Sequence, residues 1–129
     1  MCIRDSIRKE KGIIVAISGF LEFQKNIDAR TKFTLDHIGG VLDQGYFKKI
    51  TNLLEGVKSV SFLGSIEKEK LHTILANYDL LLHSSFIEGG SLVIQEAQNA
   101  GLPIIASDIS CHTALLLSLI HISEPTRPY

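Results

Sequence analysis

The stretch "EGGSLVIQE" (88–96) sets Glu88 and Glu96 eight positions apart, with Gly89 and Gly90 directly behind the first carboxylate. Glycines ahead of a helix leave its unpaired N–H groups open to an anion, and the helix dipole favours negative charge there. Ser91 can cap that helix, Glu88 stands at the lip of the loop, and Glu96 projects from the second turn. A carboxylate accepting from vicinal hydroxyls is how dinucleotide folds hold a ribose. These residue types together suit a ligand with a phosphate beside hydroxyls, as in a sugar nucleotide. The same spacing also suits a plain βα turn closed by Gly-Gly, with two solvated glutamates. Spacing alone leaves both readings open.

Other reactive residues form no second constellation. His37, His72, His83 and His112 share no i, i+4 spacing, and Cys2 and Cys111 make no CxxC pair, so no metal site is expected. "HSS" (83–85) lacks the G-x-S-x-G frame of a nucleophile elbow. His83 falls at a predicted strand end, where it either approaches a ligand or packs as a hydrogen-bonded interior histidine. Arg8 and Lys11, taken alone, are ordinary surface charges.

The elements that must position these residues follow from periodicity. Strand formers concentrate in "KFTLDHI" (32–38), "SVSFL" (59–63), "YDLLLH" (78–83) and "LPIIAS" (102–107). The last run carries apolar residues on successive positions, as a strand buried on both faces does. Helical spacing lies between the runs. Phe47, Ile50 and Leu54 share a face behind Asp43 as N-cap, with Gly56 as a stop. Leu71, Ile74, Leu75 and Tyr78 share another, with Ser65 able to cap. A third helix follows Ser91 and ends at Gly101-Leu102-Pro103. Residues 12–24 fit a helix through Ile13, Ile17, Phe20 and Leu21 despite their β-branched content. Alternation of strand and helix with short connections implies an α/β, Rossmann-like parallel sheet with helices on both faces. Ligands in such a sheet bind beyond the carboxyl ends of the strands, where 88–96 lies.

The 129 residues make at most one ordinary domain, and 45% of them are hydrophobic, a globular composition. Thirteen Lys and Arg against fourteen Asp and Glu give no basic field for nucleic acid. No run reaches the roughly 18 apolar residues of a membrane span. "GIIVAISGFL" (12–21) follows basic residues but has no small-residue cleavage site after it, so a cytoplasmic protein is expected. Both ends look foreign. "MCIRDS" (1–6) and "LSLIHISEPTRPY" (117–129) resemble translated sequencing-adapter read-through, which leaves 7–116 as the expected domain.

The run "FLGSIEKEKLHTILANYDLLLHSSFIEGGSLVIQEAQNAGLPIIASD" resembles the donor domain of glycosyltransferase family 4, the retaining GT-B sugar transferases. It carries a "FLG" strand end, a helix, "A.YDLLL", E-x7-E and a G-x-P strand in the family's order, and the resemblance extends back through "HIGGVLD" to "IRKEKG" (7–12). It implies the C-terminal, nucleotide-sugar-binding half of a GT-B fold, with the acceptor bound by an absent N-terminal domain. By this resemblance Glu88 holds the donor sugar's hydroxyls beside the reacting carbon and serves as the catalytic residue, while Glu96 holds the ribose. Arg8 and Lys11 match the basic pair that neutralises the donor diphosphate. Gly89, Gly90, Ser91 and Leu92 complete the clamp with backbone N–H groups, and no metal or other cofactor is implied. The family usually has aromatic-Gly after E-G, then often Pro, where this chain has Gly90-Ser91 and Val93. The strand that should precede Arg8 is missing or replaced by "MCIRDS". Nucleotide-sugar 2-epimerases share the fold but place Gln-Glu nearer the glycines than Gln95-Glu96 stand here. A nucleotide-binding module without catalysis is the third reading, and both glutamates argue against it.

Overall fold

The computed structural model describes residues 1–28, 30–85 and 92–107. They form five parallel strands: β1 (Cys2–Arg4), β2 (Leu35–Ile38), β3 (Val60–Gly64), β4 (Leu81–His83) and β5 (Ile104–Ala106), in spatial order β3-β2-β1-β4-β5. Four helices connect them: α1 (Ile13–Lys25), α2 (Gln44–Leu53), α3 (Lys68–Leu75) and α4 (Leu92–Asn99). The expected α/β sheet covered on both faces is what forms. Successive strand side chains alternate between the two faces. Ile3 and Leu35 join Ile13, Ile17 and Phe20 of α1 and Ile50 of α2 in one core. Cys2, Ile38 and Leu81 join Leu71 and Leu75 of α3 and Ala97 of α4 in the other.

Within residues 1–6, the segment that resembles adapter read-through, Cys2–Arg4 form the central strand. Cys2, Ile3 and Arg4 pair with Asp36, His37 and Ile38 on one side, and Cys2 pairs with Leu81 on the other. Cys2 and Ile3 are fully buried, one in each core. Three residues are too few to show a period, but hydrogen bonding on both sides and burial on both faces make a strand of them.

Asp43 caps α2 as expected, its Oδ1 accepting from the Tyr46 N–H at 2.9 Å. Ser65 does not cap α3. That helix begins only after Glu67, and Ser65 Oγ lies 3.0 Å from where a Cβ on Gly40 would stand, so the serine packs against the loop after β2. The expectation that 102–107 is buried on both faces is also corrected. Among the described residues β5 is an edge strand, and Ile105 is 59% exposed. It borders an apolar groove of about 520 Å³ that Val15, Gly19, Phe20 and Phe23 of α1 share with Leu82 and Ile105 of the sheet. Among the described residues no helix is long and apolar enough to cross a membrane.

Candidate functional site

The chain runs outward from β1 to β2 and β3, then crosses back to place β4 and β5 on the other side of β1. The strand order therefore reverses between β1 and β4. Loops leaving two such strands diverge and open a crevice at their carboxyl ends. From β1 the chain passes through Asp5 and Ser6 to Arg8, a 3₁₀ turn at Lys9–Lys11 and Gly12, which starts α1 with φ 60°. From β4 it passes through Ser84 and Ser85 towards α4. The two serines tie the loops together. Ser84 Oγ lies within donating distance of the Gly12 and Lys11 carbonyls, at 2.6 and 3.1 Å, and Ser85 Oγ donates to the Glu10 carbonyl at 3.3 Å. "HSS" thus holds the crevice in shape and supplies no nucleophile elbow.

Charged side chains gather at this end of β1. Asp5, Lys11 and His83 are all buried. Asp5 Oδ1 accepts from the Ser6 N–H at 2.9 Å and stands 3.6 Å from Lys11 Nζ, while Asp5 Oδ2 stands 3.8 Å from His83 Nδ1. One residue earlier, Arg4 Nε lies 3.7 Å from Glu96 Oε2 on α4. That separation is an ion pair but too long for a hydrogen bond. Glu96 Oε2 is itself buried and, among the described residues, has no hydrogen-bond partner. A buried carboxylate oxygen without a donor is costly, and a ligand hydroxyl is a donor that can satisfy it.

The residues singled out from the sequence divide accordingly. Lys11 lies with Asp5 and His83 beyond the carboxyl end of β1, and Glu96 lies beside Arg4 at that strand's last residue. Arg8 lies in the same turn, its carbonyl accepting from the Lys11 N–H at 3.1 Å, but its side chain is about half exposed and faces Glu10 at 4.0 Å. Leu92 opens α4 and is 66% exposed. Glu88, Gly89, Gly90 and Ser91 lie outside the described residues. Asp5 and Arg4 were set aside with the first six residues, and His83 was left between two roles.

The arrangement is a cluster of charged side chains at a topological switch point, with a buried Lys11 beside Asp5 and Glu96 beside Arg4. A family profile described as "Glycosyl transferases group 1" matches residues 3–116. The chain belongs to that family. It is 34% identical over 100 residues to the UDP-N-acetylglucosamine–peptide N-acetylglucosaminyltransferase GtfA subunit of Streptococcus parasanguinis, covering 78% of this chain and 19% of that protein. Among solved structures it resembles the pneumococcal O-GlcNAc transferase GtfA in complex with UDP and GlcNAc, with TM-score 0.71 and 25% identity, covering 84% of this chain and 20% of that one. Anabaena Alr3699/HepE in complex with UDP-glucose has the same fold, with TM-score 0.75 and 21% identity over 88% of this chain and 31% of that one. The chain thus spans about a fifth to a third of these relatives.

Two further features of this glycosyl transferases group 1 domain bear on its chemistry. Among the described residues no group of three or more His, Cys, Asp and Glu side chains is placed to hold a metal ion. His37 on β2 is fully buried with its ring 5.6 Å from that of Phe62, and burial pushes its pKa down to about 4. It is a neutral core histidine at physiological pH.

Proposed function

We propose that this chain is the donor-binding domain of a family 4 glycosyltransferase, the C-terminal half of a GT-B enzyme that transfers a sugar with retention. The observation that carries the reading is Glu96, whose buried Oε2 accepts no hydrogen bond among the described residues and lies 3.7 Å from Arg4 Nε at the end of β1, beside the β1–β4 switch point. In this reading Glu96 accepts from the ribose hydroxyls, and Lys11, with Arg8 at the rim, neutralises the donor diphosphate. Backbone N–H groups of Gly89, Gly90, Ser91 and Leu92 complete that clamp, and Glu88 holds the sugar hydroxyls beside the breaking bond. A leaving nucleoside diphosphate gathers negative charge, and fixed cations with a helix terminus stabilise it without calling on a metal. The acceptor belongs to a second domain across the cleft. UDP is the first ligand to try, since relatives of this chain were solved with UDP or UDP-glucose.

The test is calorimetric titration of UDP into the protein and into Glu96→Ala. A hydrogen bond to a charged group contributes about 1.5–3 kcal/mol, so the variant should bind roughly 10- to 150-fold more weakly. Equal affinity would return Glu96 to a helix charge paired with Arg4. In a two-domain enzyme carrying this domain, Glu96→Ala should raise KM with little change in kcat, because the ribose does not change during reaction. Glu88→Ala should lower kcat more than it weakens diphosphate binding.

A further inference from the structure

We infer that Asp5 is a built-in counter-anion of the phosphate-binding cation and sets the affinity of the crevice by competing with the ligand for Lys11. The inference rests on the nucleotide reading above and adds a residue to it. Three cations at this end of β1 have an acidic partner within 4.0 Å: Arg4 with Glu96, Arg8 with Glu10 and Lys11 with Asp5. Two of those pairs are partly or largely open to solvent, where such contacts exchange readily. The third is not. Asp5 and Lys11 are both more than nine-tenths buried, and His83 Nδ1 stands on the other side of the same carboxylate. An ammonium held out of water needs an anion at hand, and Asp5 is one at 3.6 Å.

A diphosphate entering the crevice brings its own negative charge to the same cation and meets a carboxylate already there. Asp5 cannot withdraw easily. Its N–H donates to the Ile38 carbonyl at 2.9 Å, and Oδ1 accepts from the Ser6 N–H. Gly39 packs so tightly that a Cβ there would lie 1.9 Å from the Asp5 carbonyl oxygen. Lys11 ends a single 3₁₀ turn and carries its charge on a flexible four-carbon stem, so the lysine is the member that can turn towards a ligand. Ligand binding then includes breaking or sharing the Lys11–Asp5 pair, and the carboxylate that remains repels the phosphates.

Asp5→Asn tests this directly, because it removes the charge at nearly constant volume and keeps an acceptor for the Ser6 N–H. Calorimetric titration with UDP should show tighter binding, on the order of tenfold, at fixed pH and salt. The gain should vanish in Asp5→Asn/Lys11→Gln, since it flows through the released lysine. Asp5→Ala, which removes the charge by a second route, should tighten binding in the same direction, and thermal unfolding of each variant establishes which are folded. Unchanged or weaker UDP binding in a folded Asp5 variant would overturn the counter-anion role and leave the nucleotide site standing. No UDP binding to either the wild type or the folded variants would overturn the nucleotide reading itself, and this inference with it.

Discussion

Ile3→Ala should cost the protein about 3–4 kcal/mol of folding stability. Ile3 is 1% exposed, lies at the middle of the central strand, and packs in the core that contains Ile7, Ile13, Ile17, Phe20, Leu35 and Ile50. Truncating a buried isoleucine to alanine costs about 2–5 kcal/mol, and the value depends on how far the surroundings can collapse into the space. Here collapse is limited, because β1 is pinned between β2 and β4 and covered by α1. The upper part of the range applies. Domains of this kind have total stabilities of about 5–15 kcal/mol, so a large fraction would be lost. With a urea dependence of about 1–3 kcal/mol per molar, the unfolding midpoint should fall by roughly 2 M. Ile105→Ala is the internal comparison: Ile105 is more than half exposed on β5, and its truncation should cost no more than about 0.5 kcal/mol. Urea unfolding followed by circular dichroism reads both. A loss below about 1 kcal/mol for Ile3→Ala would mean that residues 1–6 do not form the middle of the sheet, and the placement of Arg4 and Asp5 at the crevice would fall with it.

Three further outcomes follow from the same packing. Burial pushes the His37 pKa from 6.5 to about 4, so the unfolded chain takes up a proton in that interval and the folded chain does not. Stability should therefore be complete above pH 6.5 and fall by roughly 3 kcal/mol as the pH drops towards 4, with a smaller slope in His37→Gln; an identical slope in both would refute the assignment. The Cys2 thiol is buried and pushed up to about 12, mainly by desolvation, so in a Cys111→Ser background iodoacetamide should label it only after denaturation. Fast labelling of the native protein would contradict the strand. Gly39→Ala should cost more than about 2 kcal/mol, because φ there is +147° and the new Cβ would collide with the Asp5 carbonyl; a neutral effect in thermal unfolding would contradict that close approach.

The helices were legible because each has a periodic face of several residues, helped at α2 and α4 by a local signal at one end. Asp43 ahead of Ile50 and Leu54, Leu71 with Leu75, and Gly101 ahead of Pro103 all appear in the structure as their spacing suggests. Residues 12–24 were decided by period over propensity, and α1 covers Ile13–Lys25. What was not legible depends on tertiary partners. Cys2–Arg4 is a strand only because β2 and β4 flank it. Ile105 has the composition of an interior residue, but exposure is set by what covers a strand and not by its own side chains. Tyr46 escaped the hydrophobic pattern, yet it is buried with its hydroxyl accepting from the Ile14 N–H at 3.1 Å, joining α2 to the start of α1. Glu96 was singled out by its place in E-x7-E, and Lys11 only by the family resemblance, since alone it reads as an ordinary surface charge. His83 was left between two roles and Asp5 was not singled out, since their approach arises only when β4 crosses back beside β1.

The central claim is that Glu96 receives the ribose of a nucleoside diphosphate whose phosphates reach Lys11. The measurement that isolates it is a four-way comparison: UDP and 2′,3′-dideoxy-UDP, each titrated into the wild type and Glu96→Ala. Removing the hydroxyls should weaken binding to the wild type roughly 10- to 150-fold, the worth of hydrogen bonds to a charged acceptor. In Glu96→Ala the two ligands should bind about equally, because the acceptor they differ over is gone. A wild type that binds both ligands alike, or a variant that discriminates between them as the wild type does, would contradict the account.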